Sequence, residues 1–294
     1  MRVLGIARAH RYSPNSVERD ARIFRAVAEQ LRAVGHEVAT VAEEELRELP
    51  PCDTLFSMAR GTAALHLLAG AEECGARVCN SPAGVLKFSR SELVRVMEEL
   101  DIAAPASVVL PLQGGEGCSP FQAEASRSMF LRALSRRAAS FSFPLWVKRG
   151  DACAQQDGDV RRIASAQELL QALEELVQGG VAEVVLTAHA DGDLLKFYGV
   201  EGTPFFYTCY PTLGGFSKFG LERFNGEPAG HAFSREALKR DADRLARHTG
   251  FTVYGGDCVV AADGTCRIID FNDWPSFAPC TAEAAAAIAN RITA

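Results

Sequence analysis

Hydrophobic positions in the first ninety residues alternate between two periods. Residues 2–7, Arg-Val-Leu-Gly-Ile-Ala, form a short apolar run suited to a buried strand. Residues 17–34 then place Ile23, Phe24, Val27, Leu31 and Val34 at helical spacing, and Gly35 follows as a helix stop. Short strands are predicted at 36–41, 54–58 and 77–79, with a helix at 62–74 between the last two. Strands separated by helices predict a parallel sheet with helices packed on it. The loops at 8–16 and 58–61 follow strand ends, where open α/β sheets place their ligands.

A helix is expected at 89–100, and Pro105 breaks the chain before a strand at 107–110. A Gly-rich loop at 113–120, a helix at 121–139 and a strand at 143–148 come next. Ser165-Ala-Gln-Glu168 is a capping box that opens a helix ending near Gly179-Gly180. From residue 183 the pattern turns to strands, at 183–187, 194–200 and 205–210, followed by an amphipathic helix at 234–248 and an Ala-rich one at 281–294. The pattern changes near residue 90 and again near 183. The expected fold class is therefore mixed α/β and α+β, with an N-terminal domain 1–88, a central subdomain 89–187 and a C-terminal subdomain 188–294.

The sharpest local signal lies in residues 254–272. Asp263-Gly264 suits a two-residue type I′ turn, in which both central residues need positive φ. The flanks Cys258-Val-Val260 and Arg267-Ile-Ile269 favour two antiparallel strands. With those two residues as the loop, Asp257 stands opposite Asp270, and Asn272 shares the face of Asp270. Two opposed carboxylates with no basic neighbour on that face of the ribbon repel each other. A hard divalent cation removes the repulsion, and the oxygen set of Asp257, Asp270 and Asn272 suits Mg²⁺, or Mn²⁺, with room for water and phosphate. The competing reading is two solvated aspartates on an edge strand.

Composition narrows the function classes. A chain of 294 residues with 48% hydrophobic content has ample material for more than one packed unit. Its net charge of −6 argues against a nucleic-acid or anionic-membrane footprint. Nine cysteines without a Cys-x-x-Cys pair read as reduced cytosolic thiols. The N-terminal apolar run is too short for a signal peptide, and no stretch approaches the ~20 residues of a membrane span. The expectation is a cytoplasmic protein with no nucleic-acid or membrane partner, and with a homodimer left open.

Phe143-Pro-Leu-Trp146-Val-Lys148 ends a strand on a lysine, before a loop flanked by Gly150 and Gly158. Such a lysine meets phosphate oxygens, or is simply solvated. The order of lysine strand, loop, helix, strand pair, helix and acidic hairpin resembles the ATP-grasp superfamily. Gly256-Asp257 is similar to its first metal aspartate, Ile269-Asp270-Phe-Asn272 to its acidic-x-Asn signature, and Asn80-Ser81-Pro82 to the segment closing its N-terminal domain. The resemblance covers residues 80 to 277. It implies an N-terminal parallel-sheet domain followed by two α+β subdomains that clamp ATP, with Mg²⁺ on the phosphates.

The chain departs from that pattern in several places. Arg90 replaces a second lysine, the loop at 151–159 has fewer glycines, and Thr187 stands where a hinge glutamate is frequent. The adenine edge would then be read by backbone groups of Val185, Leu186, Thr187, Ala188 and His189. Asp270 replaces a glutamate, and Trp274-Pro-Ser-Phe277 lacks the Pro-Gly ending. Lys196 would hold the transferred phosphoryl group or be a solvent-side residue of its strand. Arg223 would stabilise developing negative charge, beside Lys218 and Asn225. His189 and His231 have no nucleophile to serve, and Cys153, Cys209 and Cys258 read as packing residues. Trp274 and Phe277 would pack beneath the hairpin or line the acceptor site. Arg8, Arg11, Asn15 and Arg60 would hold an acceptor carboxylate or be plain surface residues.

The activity implied is phosphoryl transfer from ATP. The leading expectation is a carboxylate–amine or carboxylate–thiol ligase that works through an acyl phosphate. A kinase of a small polyol-like acceptor is the alternative, since Asp270-Phe-Asn272 and Lys196-Phe-Tyr198 also resemble inositol polyphosphate kinases. A nucleotide-binding module without turnover is the third.

Overall fold

Which residues pair across the strands decides where the candidate side chains lie. The computed structural model describes residues 1–13, 15–112, 141–152, 158–211 and 224–294. In chain order its elements begin β1 (Arg2–Ala7), α1 (Val17–Ala33), β2 (Glu37–Ala42), β3 (Thr54–Ser57), α2 (Thr62–Glu73), β4 (Arg77–Cys79), α3 (Pro82–Lys87) and α4 (Arg90–Glu99). They continue β5 (Ser107–Pro111), β6 (Leu145–Arg149), β7 (Val160–Ile163), α5 (Ala166–Gln178) and β8 (Glu183–Ala188). The last are β9 (Asp193–Val200), β10 (Phe206–Cys209), α6 (Arg235–Thr249), β11 (Val253–Val260), β12 (Cys266–Asp273) and α7 (Thr281–Thr293). The helix expected at 121–139 and the loop at 113–120 lie outside the described residues. Helix α3 was not expected. Its six residues are too few to show a period, although Pro82 is well placed to open it.

The chain divides into two units, Met1–Lys87 with Gly192–Ala294, and Phe88–Asp191. In the first, a parallel sheet runs β2-β1-β3-β4 and an antiparallel sheet runs β10-β9-β11-β12. One core joins the two ends of the chain. The α1 stripe of Ile23, Phe24, Val27 and Leu31 shares a cluster with Phe56, Trp274, Phe277 and the α7 residues Ala284, Ala285, Ile288 and Ile292. Asn80 is buried and acts as a substitute strand partner. Its Nδ2 donates to the Val253 carbonyl (2.8 Å), and its Oδ1 accepts from the Val253 N–H (2.7 Å).

The second unit holds the antiparallel sheet β5-β8-β6-β7. One face packs Leu110, Leu145, Val147, Ile163, Val184 and Leu186 against Leu169, Leu173 and Leu176 of α5. Ser165 caps α5 through a bond from the Glu168 N–H, as the capping box predicted. No helix among the described residues is long and apolar enough to cross a membrane.

Candidate functional site

The hairpin β11–β12 brings Asp257 opposite Asp270, but not through the expected turn. The Ala261 N–H donates to the Thr265 carbonyl (3.0 Å) and the Gly264 N–H to the Ala261 carbonyl (2.9 Å). The loop is therefore Ala262-Asp263-Gly264, with only Gly264 left-handed, at φ +82°. The Asp263 carboxylate instead accepts from the Thr265 N–H (2.9 Å). A three-residue loop displaces the pairing by one, so that Cys258 faces Ile268 and Val259 faces Arg267. Left there, Asp270 would point to the wrong side of the sheet. A bulge between Asp257 and Cys258 leaves Ile269 as the extra residue and restores the pair.

The acidic pair also has a basic neighbour, supplied by a strand outside the ribbon. Lys196 on β9 is the cross-strand partner of Asp257, and its Nζ lies 3.0 Å from Oδ1 and 3.2 Å from Oδ2. Cys209 on β10 completes a row with Lys196, Asp257 and Asp270. Burial pushes the Cys209 thiol up to about 11, which suits packing rather than nucleophilic work. Two residues along β12, the Asn272 Nδ2 donates to Asp270 Oδ2 (3.1 Å). The opposite face of this sheet is aromatic. Phe271 stacks on Phe251 and Tyr254, and the Tyr254 hydroxyl donates to Asp243 of α6 (2.6 Å).

Among the described residues no three His, Cys, Asp or Glu side chains converge into a metal cluster. The set to weigh is therefore Asp257 and Asp270 with the amide of Asn272, and its chemistry fits a hard divalent cation. The donors are two half-buried carboxylates on adjacent strands and an amide already tied to one of them.

In the other unit, Lys148 on β6 shares a sheet face with Trp146, Val185, Thr187 and Ser107. The first residue of α4 is Arg90, which is buried where the helix dipole disfavours a cation. The Ser91 N–H donates to the Gly150 carbonyl (3.0 Å), and the Gly150 N–H to the Glu183 carbonyl (2.7 Å). These bonds bring the start of α4 and the end of β6 to one corner of that unit. A Cβ at Gly150 would stand 2.4 Å from Ser91 Oγ and 2.9 Å from the Glu183 carbonyl oxygen, so only glycine permits the approach.

Strand β8 is central, and Val185, Leu186 and Thr187 pair with both β5 and β6. Their backbone groups are spent in the ladder, and the Leu186 side chain lies in the core. The Ala188 N–H bonds to the Ala106 carbonyl (2.9 Å). Backbone groups of 185–187 and the Ala188 N–H are thus engaged within the sheet, and the stretch leaves it at His189. There Trp146 Nε1 donates to His189 Nδ1 (3.1 Å), which leaves the ring proton on Nε2.

The N-terminal arginines are not alike. Arg8 is neither a surface residue nor open to an acceptor. Its Nη1 pairs with Asp20 (3.0 Å), Nη2 bonds the Trp274 carbonyl (3.0 Å), and Nε bonds the Met58 carbonyl (3.2 Å). Arg60 pairs with the buried Asp273, next to Asn272. The guanidinium of Arg11 lies over the Tyr12 ring. Glu43 accepts from the backbone N–H groups of Ala9, Arg60 and Gly61, so the N-terminus of α2 is already answered by the chain's own carboxylate. Asn225 Nδ2 ties a loop to the Gly192 carbonyl (3.3 Å). Trp274 and Phe277 are fully buried, at φ +36° and +48°, so packing holds them in a conformation that bulky residues rarely adopt. Arg223, Lys218 and Cys153 lie outside the described residues.

Sequence reasoning missed Asp273, Glu43 and the Lys196–Asp257 pair. Only the last had a readable trace, since the strands 193–200 and 253–260 are equal in length. Their register is a long-range property, however, and no local pattern encodes it.

No family model and no curated protein sequence matches the chain. Solved structures do. A RimK-domain ATP-grasp protein from Sphaerobacter thermophilus is 16% identical with a TM-score of 0.64, over 100% of both chains. D-alanine–D-alanine ligase from Bacillus anthracis, in complex with ATP, is 16% identical with a TM-score of 0.65, over 100% of this chain and 96% of that one. The VanG D-Ala:D-Ser ligase from Enterococcus faecalis is 14% identical with a TM-score of 0.67, over 99% and 98%. With its parallel sheet and two antiparallel sheets, this chain has the ATP-grasp fold.

Proposed function

We propose that this chain is an ATP- and Mg²⁺-dependent ligase that activates a small-molecule carboxylate as an acyl phosphate for attack by an amine or thiol. The observation that carries the reading is the acidic pair Asp257–Asp270, with Asn272 on the same face. These three would hold the cation, which when bound neutralises phosphate charge. Arg90 and Lys148 are cations suited to phosphate oxygens. The Trp146 and His189 rings lie beside the strand end that would meet the base. Lys196 and Arg223 would face the transferred group and its developing charge. The likeness to ligases that join D-alanine to an amino acid favours ligation over phosphorylation of a hydroxyl.

Phosphate release from ATP, measured with panels of carboxylates, amines, thiols and polyols, tests the reading. A ligase releases phosphate only when the carboxylate and nucleophile are both present, and Asp270→Asn abolishes the release. Phosphate retained on a polyol would make the protein a kinase. Nucleotide binding without consumption under every condition would leave a module that does not turn over.

A further inference from the structure

Lys196 sets its ammonium against both carboxylate oxygens of Asp257, at 3.0 and 3.2 Å. Their side chains are 14% and 26% exposed, so solvent screens the pair only in part. Asp270 flanks Asp257 on the other side, and a carboxylate between a like charge and a cation is held by the cation. Asp270 in turn takes a bond from the Asn272 amide. The oxygens that Lys196 occupies are those a divalent cation would need.

Resting on the metal reading above, we propose that Lys196 is an internal competitor for the cation. It holds Asp257 in the metal-free protein and must yield it when metal binds. Yielding separates a mostly buried ammonium from the carboxylate against it, which is unfavourable unless new anionic charge arrives. A polyphosphate supplies that charge. Lysine suits the role because its ammonium is a point charge on a flexible stem, able to exchange one oxygen partner for another. Metal and polyphosphate therefore bind cooperatively, and metal alone binds weakly.

The test is Mn²⁺ affinity, followed by the electron paramagnetic resonance of free Mn²⁺ on the full chain. It is read without nucleotide and with a non-hydrolysable ATP analogue. Without nucleotide, Lys196→Met should bind Mn²⁺ roughly tenfold tighter than the parent, the scale of removing a cation from a partly screened carboxylate. The gain that the analogue confers on Mn²⁺ affinity should shrink correspondingly, because coupling is reciprocal. Lys196→Arg should keep the parental pattern, and Lys196→Gln gives the same expectation as methionine with a more polar side chain, should the first variant misfold. Lys196→Met or Lys196→Gln binding Mn²⁺ no tighter than the parent overturns the competition. If the parent then still binds Mn²⁺ with the analogue and loses it in Asp270→Asn, the metal reading survives that result. If the parent binds no Mn²⁺ even with the analogue, both fall.

Discussion

At Asp193, burial and hydrogen bonding pull in opposite directions. Burial alone would raise this carboxyl, yet the backbone N–H groups of His231, Ala229 and Gly230, at 2.6–2.8 Å, outweigh it and hold it below its ordinary value. A carboxyl depressed on folding adds stability above its unfolded pKa, and that stability is lost as pH falls through the folded one. Melting temperature should therefore drop steeply on acidification below about pH 4. In Asp193→Asn it should start lower and fall less steeply over the same range; an unchanged acid slope in this variant would show that the bonds carry no such linkage. Arg8 is a second case where the residue type alone misleads. Three arginines and an asparagine near the N-terminal loops looked interchangeable, but only the fold makes Arg8 a clamp on Asp20 and the Trp274 carbonyl. Arg8→Met should cost about 3–5 kcal/mol in denaturant unfolding, since it leaves a buried charge uncompensated.

Elements show both what a local pattern can specify and where it stops. Periodicity located α1, the capping box of α5 and the acidic hairpin, because each is written within one or two turns of chain. The pairing of Asp257 with Asp270 was readable, yet the route to it was not. The turn has three residues rather than two, and a bulge at Ile269 offsets the change. Loop and bulge are each set by backbone geometry that the residue pattern only loosely constrains. Two substitutions probe places where one residue holds two elements together. Asn80→Ala removes both side-chain bonds to Val253 and should cost about 2–4 kcal/mol in the same unfolding assay. Gly150→Ala forces β6 away from Ser91 and Glu183. It should lower stability by about 1–3 kcal/mol and, on the function proposed above, weaken ATP affinity in calorimetry by displacing Lys148 and Arg90.

On the scale of the whole molecule, the unit formed by Met1–Lys87 and Gly192–Ala294 is discontinuous in the chain. Its core needs Trp274, Phe277 and α7 to cover α1 and Phe56. A fragment ending at residue 191 should therefore expose that apolar stripe, bind a hydrophobic dye and show no cooperative melting for residues 1–87. Cooperative melting without dye binding would mean that the parallel sheet closes its own core. The linear order of residues was enough to specify periods, caps, the opposed acids and the resemblance to ATP-grasp proteins, because these signals act over neighbouring residues. Folding alone settled that Lys196 lies against Asp257, that Arg8 clamps Asp20, that Asp273 is buried, and that β8 spends its backbone within the sheet. Such facts depend on strand register and burial between segments far apart in the chain, and these exist only once the segments have met.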